Sequence, residues 1–199
     1  MASGTISPRQ KIINMMYLVL TAMLALNVSK DILRVLAKLD LGMNATVTTV
    51  ERGTATLYEA IQAQVSENPR AVPINERAKQ VKSESDAIFA LLASTKEEMI
   101  ALTGGLDEEG RYKGADNRDI PENYLLNDKS IGGQGKAKEI KEKLIAFRAF
   151  LEGQSDGDAT MKRIIDETFL FEDEVVEGKK MSWERATFAE LPLAGVVPF

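Results

Sequence analysis

Four polar residues, Gln10, Asn14, Tyr17 and Thr21, recur at spacings of four, three and four inside an otherwise apolar run. On a helix that spacing places all four on one face. Arg9 lies two turns before Tyr17 and on nearly the same face. The chemistry open to such a set is electrostatic rather than nucleophilic. In low dielectric a guanidinium favours an ionised carboxylate opposite it, and protonation of that carboxylate removes the attraction. Residues 12–29 contain no Asp or Glu, so the carboxylate must come from another membrane protein. The blander reading is that Asn14, Tyr17 and Thr21 bond to their own backbone or sit at an interface, with Arg9 snorkelling to the headgroups.

Composition removes most other chemistry. The 199 residues include no histidine and no cysteine, which excludes Ser-His-Asp triads, thiolate nucleophiles, zinc fingers and disulfide frameworks. With 25 basic against 30 acidic residues the net charge is −5, the wrong sign for a general nucleic-acid binder. No enzyme activity, cofactor or metal site is expected. The carboxylates Asp107, Glu108, Glu109, Asp116, Asp119 and Glu122 match no EF-hand spacing and read as a solvated acidic loop. G-Q-G-K-A (133–137) departs from a phosphate-binding loop at both ends: Ser130 stands where the first Gly belongs, and Ala137 where Ser or Thr belongs. D-G-D (156–158) reads as a turn and helix start.

These residues must be positioned by elements of two kinds. Between Lys11 and Lys30 lie 18 consecutive uncharged residues, about 27 Å as a helix and just enough for a bilayer. Residues 1–43 carry five basic and two acidic residues, net +3, and residues 44–199 carry 20 and 28, net −8. A cleaved signal peptide is the rival, but Met23 stands where a small residue should precede a cut after Ala25. A retained anchor is expected. The flanking positive charges balance, and orientation follows from the long domain after the span: residues 1–11 cytoplasmic, 12–29 transmembrane, the bulk outside.

Beyond the span the expected class is all-α: a single N-terminal membrane helix continuing into a helical bundle over residues 30–190. Ile32, Leu36, Leu39 and Met43 extend an apolar seam towards Gly42, read as a terminator, and Asn44 reads as the cap of a second helix carrying Val47, Val50, Thr54, Leu57 and Ile61. After the breaker E-N-P-R-A-V-P (67–73), a row from Ile74 through Ala78, Val81, Ser85, Ile88, Leu92, Thr95 and Met99 to Leu102 keeps heptad spacing. Further helices are expected over about 136–152, with Ala137, Ile140, Leu144, Phe147 and Leu151 inward, and from Asp158, with Met161, Ile164, Ile165, Thr168 and Phe169 inward. Residues 104–134 read as a long loop containing short elements.

The segment S-P-R-Q-K-I-I-N-M-M-Y-L-V-L-T-A-M-L-A-L-N-V-S-K-D-I-L (7–33) resembles the N-terminus of the GldM family, called PorM in some species, from gliding-motility and type IX secretion machinery. The L-D-E-E-G loop and S-W-E-R-A-T-F-A-E-L-P (182–192) are similar to that family's first periplasmic domain. The resemblance implies an inner-membrane protein with one membrane helix, forming a homodimer whose paired helices sit inside a ring of GldL. It also implies that proton flow turns the dimer and that a periplasmic arm carries the motion to an outer-membrane ring. In that picture Arg9 faces an intramembrane glutamate of the GldL ring and Tyr17 is the second polar position. Relatives continue into β-rich periplasmic domains, so residues 191–199 are expected to be a linker to absent domains.

Two other classes compete. A membrane-anchored periplasmic sensor or scaffold shares the span and the bundle but needs a cytoplasmic output domain, which eleven residues do not supply. A periplasmic hydrolase would have to draw its groups from the 104–134 carboxylates.

Overall fold

The computed structural model describes residues 7–26, 30–126, 135–176 and 178–198. Its elements run α1 (Pro8–Leu26), α2 (Lys30–Val65), α3 (Ala71–Leu102), α4 (Asp119–Leu126), α5 (Lys136–Gln154), α6 (Ala159–Thr168), β1 (Glu174–Val176), β2 (Lys179–Met181), α7 (Trp183–Phe188) and α8 (Leu193–Val196). The chain is therefore mainly helical, as the periodicity predicts. The exception is one small antiparallel hairpin, β1 with β2, which pairs Glu174 with Met181 and turns at Gly178 in the left-handed region. Three-residue strands rich in charge carry no period-two signal, and an all-α reading misses them.

The expected span meets a boundary here. Among the described residues no helix is long and apolar enough to cross a membrane. Helix α1 spends its first turn on Arg9, Gln10 and Lys11, and residues 27–29, which complete the expected span, lie outside the described residues.

Helix α2 corrects two expectations. It runs 36 residues, about 54 Å, straight through Gly42 and past Asn44. Asn44 caps nothing; its amide donates to Asp40 Oδ1 one turn back at 3.2 Å. Gly42 is no terminator because the helix has partners on both sides of it. Leu33, Leu36 and Asp40 turn inward before it, and Tyr58, Ile61 and Val65 after it. Of the row read from the sequence, Leu36 and Ile61 are half-buried, whereas Ile32, Leu39, Met43, Val47, Val50, Thr54 and Leu57 are exposed. The apolar positions of this helix spread over more than one face, and the chain partly covers only Leu33, Leu36, Tyr58, Ile61 and Val65.

Helix α3 starts and ends near the expected limits, between the Ser66–Arg70 break and Gly104. Its seam is buried only towards its C-terminal end, at Thr95 and Met99, whereas Ile74, Ser85 and Leu102 are exposed. Helix α5 buries Ala137 and Ile140. Helix α6 is capped by Asp158, whose carboxylate accepts from the amides of Thr160 and Met161 at 2.7 and 3.0 Å. Of its expected inner face only Ile165 is buried among residues 159–168. Arg148 ties α5 to the end of α6 by donating to Asp166 at 2.6 Å and to the carbonyl of Phe169 at 2.9 Å.

The core gathers Met99, Tyr124, Leu125, Ala137, Ile140, Phe188, Leu193, Val196 and Val197. Leu125 and Leu193 are 1% and 0% exposed, each worth about 1.5–3 kcal/mol of burial. Residues 191–198, read from the sequence as linker, thus provide a large share of the core. The run L-A-G-V-V is too short for periodicity to assign. A chain of ring contacts, Phe147 to Phe169, Phe171, Trp183 and Phe188 at 5.4–6.2 Å between successive centroids, joins α5, the hairpin approach and α7.

Candidate functional site

Helix α1 carries every residue of the predicted stripe. Its helical geometry brings Gln10, Asn14, Tyr17 and Thr21 to one face. Every side chain from Ser7 to Thr21 is exposed, Tyr17 at 75%. The start is set by Pro8 in the first turn and by Ser7, whose hydroxyl accepts from the Gln10 amide at 3.3 Å. Thr21 donates to the carbonyl of Tyr17 at 2.7 Å, so its hydroxyl is satisfied within its own helix, as the blander reading allows. Among the described residues Arg9 has no ion-pair partner in this chain.

A second site escaped the sequence reading. Asp40 is the buried residue of α2, at 9% exposure. Burying a carboxylate is costly unless it is paired and hydrogen-bonded, and Asp40 is both. Asn44 and Lys96 reach Oδ1, Lys96 from α3 at 3.5 Å. The hydroxyl of Tyr112 donates to Oδ2 at 3.1 Å. Burial first, and then the Asp40 charge and the hydrogen bond to it, push the Tyr112 phenol up to about 12. The signal in the sequence was a lone Asp closing the inward row Leu33, Leu36, Asp40.

Tyr112 belongs to the predicted loop, whose first half is ordered by its own backbone. Leu106 bridges Tyr112, and Lys113 donates to the Gly105 carbonyl at 3.0 Å. Asp107 closes the turn by accepting from the amides of Glu109 and Arg111 and from Arg111 Nε at 2.8 Å. The Arg111 amide and guanidinium hold the Asp107 carboxyl below its ordinary range. Gly114 passes so close to α3 that a Cβ there would stand 2.6 Å from the Thr103 Cβ. The carbonyls of Ala115 and Asn117 then accept from the amides of Ala194 and Leu193 at 3.0 and 2.8 Å. Asn117 also caps α4 through the Ile120 amide at 2.9 Å.

The other candidates resolve plainly. Glu109 pairs with Arg111, and Glu122 accepts from the Glu190 amide at 3.0 Å. Among the described residues no group of three acidic side chains is placed to hold a metal ion. Lys136 opens α5 and pairs with Glu139 at 2.8 Å; residues 133–134 of the rejected phosphate-loop match lie outside the described residues.

The fold and these sites define a class: a mainly helical domain with an N-terminal helix whose side chains are exposed from Pro8 to Thr21. The family model of the GldM N-terminal domain matches residues 31–199, and the chain belongs to that family, a component of gliding-motility and type IX secretion machinery. No curated protein matches the chain.

Proposed function

We propose that this chain is an inner-membrane motor subunit that converts proton-motive force into mechanical, rotary motion for gliding and type IX secretion. Residues 12–29 are the membrane segment, residues 1–11 face the cytoplasm, and the stalk stands in the periplasm. The observation that carries the reading is the first helix, exposed from Ser7 to Thr21, with Gln10, Asn14, Tyr17 and Thr21 on one face, Arg9 beside them at the helix start, and no intrachain ion pair for Arg9 among the described residues.

The partner is a GldL-like multi-span protein whose ring of carboxylates surrounds a homodimer of this chain. An ionised ring carboxylate is held opposite Arg9, and protonation releases it. Two helices inside a ring with a different number of carboxylates cannot satisfy every pair at once. Successive protonations therefore shift which ring subunit Arg9 prefers, and the dimer turns. The chain itself catalyses no reaction and needs no cofactor.

The exposed row on α2 supports the homodimer. Ile32, Leu39, Met43, Val50 and Leu57 fall on heptad spacing with Thr46 and Gly53 between them and Leu36, half-buried in the chain's own fold, in the same frame, the pattern by which two helices wind together. Because the chain has no cysteine, Leu57→Cys adds its one thiol. In cells that variant should form a disulfide-linked dimer, and Lys162→Cys on α6 should not; equal cross-linking at both would remove the α2 interface. Co-expression with the neighbouring genes should bring a multi-span membrane protein through purification with this chain. If this chain purifies without one, the reading reverts to a periplasmic scaffold.

A further inference from the structure

We infer that Asp40 is a positioning residue that sets the register between α2 and the ordered loop, so that a displacement of α2 is handed to the C-terminal helix. The inference rests on the motor reading only for what moves α2. The coupling itself is a property of this fold.

Four observations carry it. The buried residue of a 36-residue helix is a carboxylate, while the large apolar side chains around it, such as Leu39 and Leu41, are exposed. A helix that merely needed packing would bury leucine there; a buried, fully bonded polar group instead fixes one alignment, because sliding by one residue would strand the charge without its donors. Next, besides Asn44 on α2 itself, the donors come from two other elements, Lys96 on α3 and Tyr112 in the loop. Third, from Tyr112 the connection is continuous and short: its carbonyl accepts from Ala115, and the Ala115 and Asn117 carbonyls hold the amides of Ala194 and Leu193. Finally, α8 is buried along its whole length and also touches α2 directly. The route runs from Asp40 through Tyr112 to Leu193 without passing through α5, α6 or the hairpin.

The far end of α2 supplies an internal comparison. There the Tyr58 hydroxyl donates to the Ala78 carbonyl of α3 at 2.5 Å, a cross-tie equally able to stabilise the helix pair but with no link to the loop.

Amide hydrogen exchange on the whole chain in detergent micelles tests the coupling. Tyr112→Phe and Asp40→Asn should each speed exchange of the Leu193 and Ala194 amides about tenfold, with α5 and α6 amides unchanged. Tyr58→Phe should leave Leu193 and Ala194 at their original rates. Equal effects of Tyr58→Phe and Tyr112→Phe at Leu193 would mean shared stability rather than coupling and would overturn the inference, as would no effect of either Tyr112→Phe or Asp40→Asn. In cells, the Tyr112→Phe protein should accumulate normally and lower secretion; normal secretion overturns the handover. An Arg9→Ala strain that secretes normally would sink the motor reading while leaving the exchange result to judge the register.

Discussion

Helix α2 has 36 residues and one buried among them, Asp40, whereas α8 has four residues and all four are buried. The two are neighbours, so the contrast is not one of location. It separates a helix whose apolar surface is mostly exposed, which we propose a second copy covers, from a helix whose apolar surface completes this chain's own core. Length and hydrophobicity say nothing of which role a segment takes; what decides is whether the rest of the chain supplies a matching face.

The sharpest way to break this contrast is to truncate both. Leu193→Ala removes a side chain with no exposure and should cost about 2–5 kcal/mol in chemical unfolding, with the transition still cooperative. The matching truncation on α2, Leu57→Ala, should change the stability of the dissociated monomer by no more than about 0.5 kcal/mol. Its cost should appear in dimer dissociation instead. A large monomer loss at Leu57 would mean that the α2 stripe is covered from within the chain.

Next in size is Gly114→Ala. The added Cβ would press on Thr103, whose hydroxyl is itself bound to the carbonyls of Met99 and Ile100, so the loop must shift from α3. The expected loss is about 1–3 kcal/mol, read by thermal unfolding, and it should be accompanied by faster exchange at Lys113. An unchanged melting curve would show that the loop is not held where α2 and α8 meet it.

The smallest effect is one of pH. Asp107 has its carboxyl held below the ordinary value by the Arg111 amide and side chain. A depressed carboxyl contributes stability above its unfolded value of 3.8, and the contribution fades as pH falls through the lower folded value. Between neutrality and pH 5 the loop turn should hold. Below pH 4 the Glu109 and Arg111 amides should lose protection before the α5 amides do, as NMR-detected exchange would record.

Much of this architecture is legible in the sequence, and the rest fails for physical reasons. Heptad spacing locates α3 and α5, and Asp158 is recognisable as a cap, because one buried face and one local hydrogen bond suffice to place them. Helix α2 misleads because its apolar positions spread over more than one face, and periodicity cannot tell a face covered by this chain from one left exposed. Gly42 looks like a stop but sits between two anchored stretches. Residues 191–198 look like a linker because six consecutive buried residues, 192–197, have no period. Arg9, Gln10, Asn14, Tyr17 and Thr21 are legible because their alignment needs only a helix. Asp40 is not, since its meaning depends on Tyr112, which lies 72 positions away.

The most direct test of the account is gliding and type IX secretion in cells carrying Arg9→Ala, with Arg9→Lys beside it and complex assembly followed by co-purification. The account predicts an intact complex with both outputs abolished in Arg9→Ala and at least partial output in Arg9→Lys, because a positive charge on the α1 face is what the partner's carboxylates select. Normal gliding and secretion in Arg9→Ala, with the complex assembled, would contradict it.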